Sequence, residues 1–389
     1  MQVQILPGAP SSSLMSKILK KITYRYLKSF IHNSIASNAK LANKFRIYNQ
    51  AINYQQISGN ELINRSDDQG QIFIAKEINN ALVAENTGCS LYFDHDVYKV
   101  IQERSGAVHR NWVKFCLNAN AIKEITTPTI NLIGVHKGYR HYFHIFFDYV
   151  IPLLFFLQNN PKNYPKIQIL VRQDHSKVQK ELYQLITTNF KNVEFVYVEK
   201  NQFILCHQLI YIQHFHNAFY DYARNADVSK VICWLRDNLV KKYHIENTPS
   251  KQKNIIFISR KKARLRRMIN EQKFINFLSK LNFKVVTLED MSFSEQIACF
   301  YNAKLVVATH GAGFLNLIFA QQGLHFLEIF PKKYYGGDYN RISNIMQLNR
   351  TEYIENNEII WQCYYLNIEK IAPLVNTIYN KAMQNSATP

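Results

Sequence analysis

The clearest alternation of apolar and polar positions lies in the C-terminal half of the chain. NIIFIS over 254–259 predicts a buried strand, and Asn270–Leu281 a helix. FKVVTL over 283–288 predicts the next strand, Ser292–Asn302 the next helix, and LVVA over 305–308 a third strand. HGAG then leads into a helix from Phe314, and LHFLEIF over 324–330 predicts another strand. Short apolar runs bounded by turn residues suit strands buried on both faces, and helix-period segments between them suit crossovers. Such repetition argues for an α/β fold with a doubly wound parallel sheet. A last helix is expected over roughly Ile368–Met383. Pro373 suggests that its regular part begins only there, and the helix is a candidate to pack back across a domain boundary.

Upstream the pattern is weaker. INLIGV over 130–135, KIQILV over 166–171 and VEFVYV over 193–198 predict strands, with helical periodicity over Tyr142–Leu157 and Ser229–Lys242. The polar stretch HIENTPSKQKN over 244–254 contains Pro249 and resembles a linker. Near the start, SKILKKITYRYLKSFI places Leu19, Ile22, Tyr26, Leu27, Phe30 and Ile31 on one helical stripe. Lys17, Lys20, Lys21, Arg25 and Lys28 lie mostly opposite. This basic amphipathic segment, 16–31, suits either an anionic bilayer surface or packing on its own domain.

The boundaries that follow are a basic N-terminal segment over 1–40, an N-terminal domain over 41–243 and a linker over 244–253. A C-terminal domain over 254–366 and a C-terminal helical segment over 367–389 complete the division. A length of 389 residues agrees with two domains. A hydrophobic share of 47% with 13% aromatics excludes a disordered or collagenous chain. Cys89, Cys116, Cys206, Cys233, Cys299 and Cys363 form no C-x-x-C pair, which argues against a disulfide scaffold or zinc ribbon and for a reducing compartment. The uncharged windows 201–220 and 305–327 are broken by histidines, amides or glycines, so neither is expected to span a bilayer. No basic region followed by an apolar one opens the sequence, so no secretory leader is expected. The net charge of +19 points to an anionic partner: nucleic acid, membrane or a phosphorylated small molecule.

Four features carry candidate chemistry. In VVATHGAGFLNLIF over 306–319 a strand ends, two glycines bracket Ala312 and a helix begins. Ligands of open α/β sheets bind beyond such strand ends, where a helix start offers free N–H groups to a phosphate. Gly311 and Gly313 permit close backbone approach, and His310 can donate to a phosphate or sugar oxygen; alternatively the glycines serve only a tight turn. In ISRKKARLRR over 258–267, Ser259 and Arg260 end a strand ahead of Lys261, Lys262, Arg264, Arg266 and Arg267. Arginine forks hold phosphate in bidentate fashion, and a loop at this strand end favours a nucleoside diphosphate, with two or three of the charges solvated. A solvated loop or a nucleic-acid patch are the alternatives. Glu328, near the end of its strand, could accept ribose hydroxyls or be a surface charge. His144 and Asp148 lie one helical turn apart, as a general base and its orienting carboxylate or as a brace for the fold. Asp94-His95-Asp96 matches a short metal-binding pattern that arises often by chance, and no metal site is expected from it.

These blocks resemble a known family. ISRKKARLRRMINE (258–271), MSFSEQIACFYNAKLVVATHGAGFLNLIFA (291–320) and LEIFP (327–331) are similar to signature blocks of glycosyltransferase family 61. HYFHIFFDYVIPLL (141–154) resembles its N-Y-x-H-x-x-x-D block, with His141 in place of the usual Asn. The resemblance implies a GT-B architecture, two Rossmann-like domains facing across a cleft. It also implies inverting transfer from a nucleotide sugar with no required metal or other cofactor. Ser259, Arg260 and Arg264 match the phosphate-side block, and His310, Gly311, Ala312, Gly313 and Asn316 match the H-G-A-G-x-x-N turn. Glu295 and Gln296 match a helix start expected to be mainly structural. The expected protein is a cytoplasmic enzyme of surface-polysaccharide assembly, peripheral on the inner membrane, using a UDP-linked donor and a glycan or lipid-linked acceptor. A nucleic-acid-binding protein or a non-catalytic sugar-binding relative are the alternatives.

Overall fold

The computed structural model describes residues 47–53, 59–67, 70–85, 90–94, 97–102, 121–133, 141–200, 202–212, 226–247, 254–334, 336–357, 359 and 362–384. The basic segment 16–31, residues 95 and 96 and most of the expected linker lie outside them.

The N-terminal half opens with strands β1 (Ile47–Asn53), β2 (Asn60–Asp67), β3 (Gly70–Ala84), β4 (Ser90–Asp94), β5 (Val97–Gln102) and β6 (Ala121–Ile125). Then come β7 (Thr129–Asn131), β8 (Ile167–Arg172), β9 (Val193–Val198) and β10 (Gln202–Ile212). They form one ten-stranded sheet in the order β1-β5-β4-β3-β10-β7-β8-β9, with β2 on β3 and β6 on β10. Its parallel part, β10-β7-β8-β9, is Rossmann-like. Helix α1 links β7 to β8, and α2 (Lys177–Asn189) links β8 to β9. Antiparallel pairing of β10 with β3 extends the sheet well past that unit. Apart from β7, β8 and β9, these strands were not foreseen. They run through mixed polar sequence, as in IAKEINN of β3, where neither period dominates.

Helix α1 is composite: an α-turn Tyr142–His144, a π-helical stretch Ile145–Val150 and an α-helix Ile151–Asn159. Its segment from Ile145 to Phe156 is buried except at Asp148. After α3 (Ala226–Lys242) the chain enters the C-terminal half.

There β11 (Asn254–Ile258), β12 (Lys284–Val286), β13 (Ala303–Thr309), β14 (His325–Pro331) and β15 (Asn349–Glu355) form a wholly parallel sheet. Its order is β12-β11-β13-β14-β15, so the winding reverses between β11 and β13. Helices α4 (Glu271–Ser279), α5 (Phe293–Tyr301) and α6 (Asp338–Ile345) occupy connections, and α7 (Ile368–Gln384) ends the described chain. Every residue of β14 is buried, as expected of a strand covered on both faces. Two sheets with parallel, Rossmann-like parts make this a mixed α/β architecture.

Two local outcomes differ from the sequence pattern. The segment after HGAG is a 3-10 helix, Ala312–Phe319, with Phe314 through Phe319 buried. Helix α7 begins at Ile368 rather than Pro373, because Asn367 caps it: the Lys370 N–H donates to Asn367 Oδ1 at 3.0 Å. Its buried residues Ile371, Val375 and Ile378 join Phe257, Leu305 and Leu327 in one cluster, so α7 packs on the C-terminal sheet. Another apolar cluster runs through both halves, including Phe146 and Phe156 of α1 with Phe293 and Phe319.

Candidate active site

The reversal between β11 and β13 is where a doubly wound sheet opens a crevice for ligand. Ser259 and Arg260 leave β11 at this point, and Glu271 of α4 fixes them. Its carboxylate accepts from Ser259 Oγ at 2.8 Å and from the Arg260 backbone N–H at 2.9 Å. The Arg260 side chain folds inward and donates through Nη2 to the Leu265 carbonyl at 3.0 Å. Burial, and then the neighbouring Arg266 charge, lower the Arg260 pKa from its ordinary value. Nε of Arg260 and Nε of Arg266 are both buried with no hydrogen-bond partner. The Arg266 guanidinium lies 4.3 Å from the Tyr334 ring centroid, a cation–π contact. Two crowded guanidinium groups with unmet donors are costly without an anion.

The β13 end completes the crevice. A Cβ at Gly311 would land on the Arg260 guanidinium, and one at Gly313 would come within 2.7 Å of Leu288 Cδ1. Both glycines therefore allow close approach, Gly311 specifically of the cation. The Gly311 carbonyl accepts from Tyr339 Oη at 2.7 Å. Ala312 opens the 3-10 helix behind it.

His310 has its Nδ1 2.6 Å from Glu328 Oε1. Its ring centroid lies 5.0 Å from Phe330, 5.1 Å from Tyr334 and 5.3 Å from Tyr339. Glu328 is 0% exposed, and Arg350 grips its Oε2 through Nη2 at 2.7 Å and Nε at 2.9 Å. Expected near a strand end, Glu328 in fact occupies the middle of β14 with both oxygens engaged, behind His310 rather than in the crevice. Breaking this pair from one side would leave a buried charge. Arg350→Leu is expected to cost about 3–5 kcal/mol, seen as a lowered urea midpoint. Glu328→Gln/Arg350→Leu together should cost clearly less than the sum of the two single changes.

Asn316 is fully buried and bolts the two halves together. Its Nδ2 donates to the Gly313 carbonyl at 3.1 Å and to Gln296 Oε1 at 3.2 Å, and its Oδ1 accepts from Tyr142 Oη at 2.7 Å. Tyr142 begins the helix on the carboxyl side of β7, and Asn316 lies on the carboxyl side of β13. The ligand-binding edges of both sheets thus meet. Glu295 forms a capping box with Ser292 at the start of α5.

One turn past Tyr142, His144 Nδ1 and Asp148 Oδ2 are 2.7 Å apart and only partly exposed. Asp148 lies inside the π-helical stretch, a distortion that occurs often at functional sites. Phe143 contacts both the His144 ring at 5.8 Å and the Tyr339 ring at 6.2 Å. The pair therefore stands one ring layer from the aromatic box around His310.

The structure brings together Ser259, Arg260, His310, Gly311, Ala312, Gly313, Asn316 and Glu328, with His144 and Asp148 close by. Arg264 is not with them; it is exposed, as are Lys261, Lys262 and Arg267. Arg266 takes the inward place because it adopts a positive φ of 56° that turns the loop. No sequence signal separates Arg266 from its basic neighbours. Tyr334, Tyr339 and Arg350 were likewise missed, lying beyond the recognisable blocks. Asp94 ends β4, and the rest of its pattern lies outside the described residues.

Comparison with known proteins gives the class. Residues 142–327 match the family model described as Glycosyltransferase 61, a span that holds most of the crevice residues. The protein is a glycosyltransferase, and so has a donor and an acceptor substrate. On this match the chain is assigned to glycosyltransferase family 61. No curated protein matches it. Among solved structures, a glycosyl transferase family 9 protein from Veillonella parvula aligns at 10% identity over 68% of this chain and 99% of its own, TM-score 0.33. A variant of the flavo di-iron protein from Thermotoga maritima aligns at 10% identity over 82% of this chain and 99% of its own, TM-score 0.27. Scores this low carry no argument about fold or activity.

Proposed function

We propose that this glycosyltransferase is inverting and metal-independent, taking its sugar from a nucleoside-diphosphate donor, UDP-linked. The observation that supports this most directly is the Arg260–Arg266 pair, half-buried at the reversal of the parallel sheet with the Nε of each buried and lacking a partner. Two cations there match the charge that a departing diphosphate develops, the task a divalent ion performs elsewhere. His310, held by Glu328 through one ring nitrogen, offers the other to the same leaving group. On the facing edge, His144 accepts the proton of the acceptor hydroxyl while Asp148 steadies its charged form. The hydroxyl oxygen forms its bond to the anomeric carbon on one face as the bond to the diphosphate breaks on the other.

The acceptor in this reading is a glycan, either surface polysaccharide or lipid-linked. A soluble nucleotide sugar and a lipid-linked acceptor would place the enzyme in the cytoplasm, peripheral on the inner membrane. Among the described residues no helix is long and apolar enough to cross a membrane.

Thermal unfolding with a panel of nucleotides and nucleotide sugars tests the donor. A ligand at a hundred times its Kd adds about 2.7 kcal/mol, a clear rise in Tm. UDP and one UDP-sugar are expected to give that rise equally in EDTA. A rise seen only with an added divalent ion would overturn metal independence, and a rise with an oligonucleotide alone would overturn the donor.

A further inference from the structure

The loop that carries Arg260 also presents an apolar surface outside the crevice. Met268 and Tyr364 pair as a short parallel bridge, with Tyr364 N–H on the Arg267 carbonyl at 3.0 Å and Ile269 N–H on the Tyr364 carbonyl at 2.8 Å. Both bridge residues point inward and are buried. Alternation along extended backbone then turns the flanking residues outward, with Ile269 beside Tyr365 and Arg267 beside Cys363. Ile269 is 46% exposed and Tyr365 49%. Ile359, whose N–H donates to the Cys363 carbonyl at 2.8 Å, is 54% exposed. Leu265, earlier in the same loop, is 43% exposed. Four large apolar side chains in two connected loops exceed the scattered exposure that is normal on a surface.

The rim decides what covers them. Lys261, Arg264 and Arg267 are exposed, and among the described residues none of them makes an ion pair; Lys262 is paired with Asp290. An aromatic ring with aliphatic neighbours, edged by free cations, is complementary to a bilayer with anionic headgroups: apolar tips below, phosphates at the rim. We infer that the surface formed by Leu265, Ile269, Ile359 and Tyr365 docks on an anionic lipid bilayer. The docking surface is then on the donor-binding half itself, separate from the segment 16–31. It would hold the crevice beside the membrane, where a lipid-linked acceptor is presented.

The full-length protein and vesicles of phosphatidylcholine, with or without phosphatidylglycerol, provide the test. Tyr365→Trp adds an indole at the centre of the surface. Its added emission should shift to the blue on anionic vesicles and be quenched by brominated lipid chains. Arg264→Glu/Arg267→Glu should lower partitioning at least tenfold, since each basic residue near an anionic surface is worth roughly fivefold. Circular dichroism checks that each variant folds. An indole at 365 that stays unquenched while the protein is vesicle-bound would overturn the inference, assigning binding to another segment. So would a wild type that ignores the vesicles, or one that self-associates through this face and becomes monomeric on Ile269→Glu.

Discussion

Arg260→Ala should lower turnover about 10²–10³-fold while the protein stays folded, the usual cost of removing one preorganised donor from a developing anion. Arg260 stands where β11 ends, its backbone held by Glu271 and its guanidinium folded over Gly311. That geometry exists before any ligand arrives, so no reorganisation is needed as the diphosphate takes up charge. The unliganded protein bears the cost: burial and the adjacent Arg266 both disfavour the charged guanidinium. An anion between the two arginines reverses both effects. Removing Arg260 should therefore leave folding stability little changed, or slightly raised, while catalysis collapses. A merely structural arginine would show the opposite pattern. Steady-state kinetics beside a urea titration separates the two, and full activity in Arg260→Ala would remove the residue from the site. Gly311→Ala gives an independent check, because its methyl group must displace the same guanidinium.

What the sequence revealed follows from how local its determinants are. In the C-terminal half β13 and β14 were the most legible strands because they are buried on both faces and read as nearly unbroken apolar runs, as LVVA does in β13, whereas the polar, half-exposed β15 (NRTEYIE) was not foreseen. Ser292 and Glu295 announced α5 three residues apart, and the structure joins them in a capping box. The N-terminal sheet was largely illegible because its outer strands alternate imperfectly and owe their pairing to distant partners, such as β3 on β10. The same distinction holds in the site. His310 and the glycines sit in one contiguous block, whereas Arg350 reaches Glu328 from the next strand, 22 residues away. Glu328 shows the limit most plainly. Its strand was foreseen but its place near the strand end was not borne out, and only the register with β15 reveals that both oxygens are already bound. Arg264, matched to the phosphate-side block, is exposed while Arg266 is turned inward, a conformational difference, set by the positive φ at 266, that the run of basic residues does not announce.

His144→Ala and Asp148→Asn should each lower turnover by about 10²–10⁴-fold while leaving donor affinity within a few-fold, the range associated with a positioned general base. An inverting displacement needs a base on the face opposite the leaving group. The leaving group is assigned to the crevice of the C-terminal sheet, so the base must come from the facing edge. Helix α1 supplies that edge, fixed in place by Tyr142 on Asn316 at 2.7 Å. His144 and Asp148 are its titratable pair, 2.7 Å apart, and partial exposure leaves them reachable by an acceptor. Tying Nδ1 to the carboxylate leaves Nε2 as the proton acceptor. In Asp148→Asn the amide can still touch the ring but cannot stabilise the imidazolium, so kcat should fall with little change in KM. Calorimetric titration of the donor nucleotide into both variants supplies the control, since that binding is assigned by proposal to Arg260 and Arg266 across the crevice. Two variants that turn over normally would make the pair a brace for the π-helical stretch. Two variants that lose donor binding would instead show that α1 shapes the donor crevice itself.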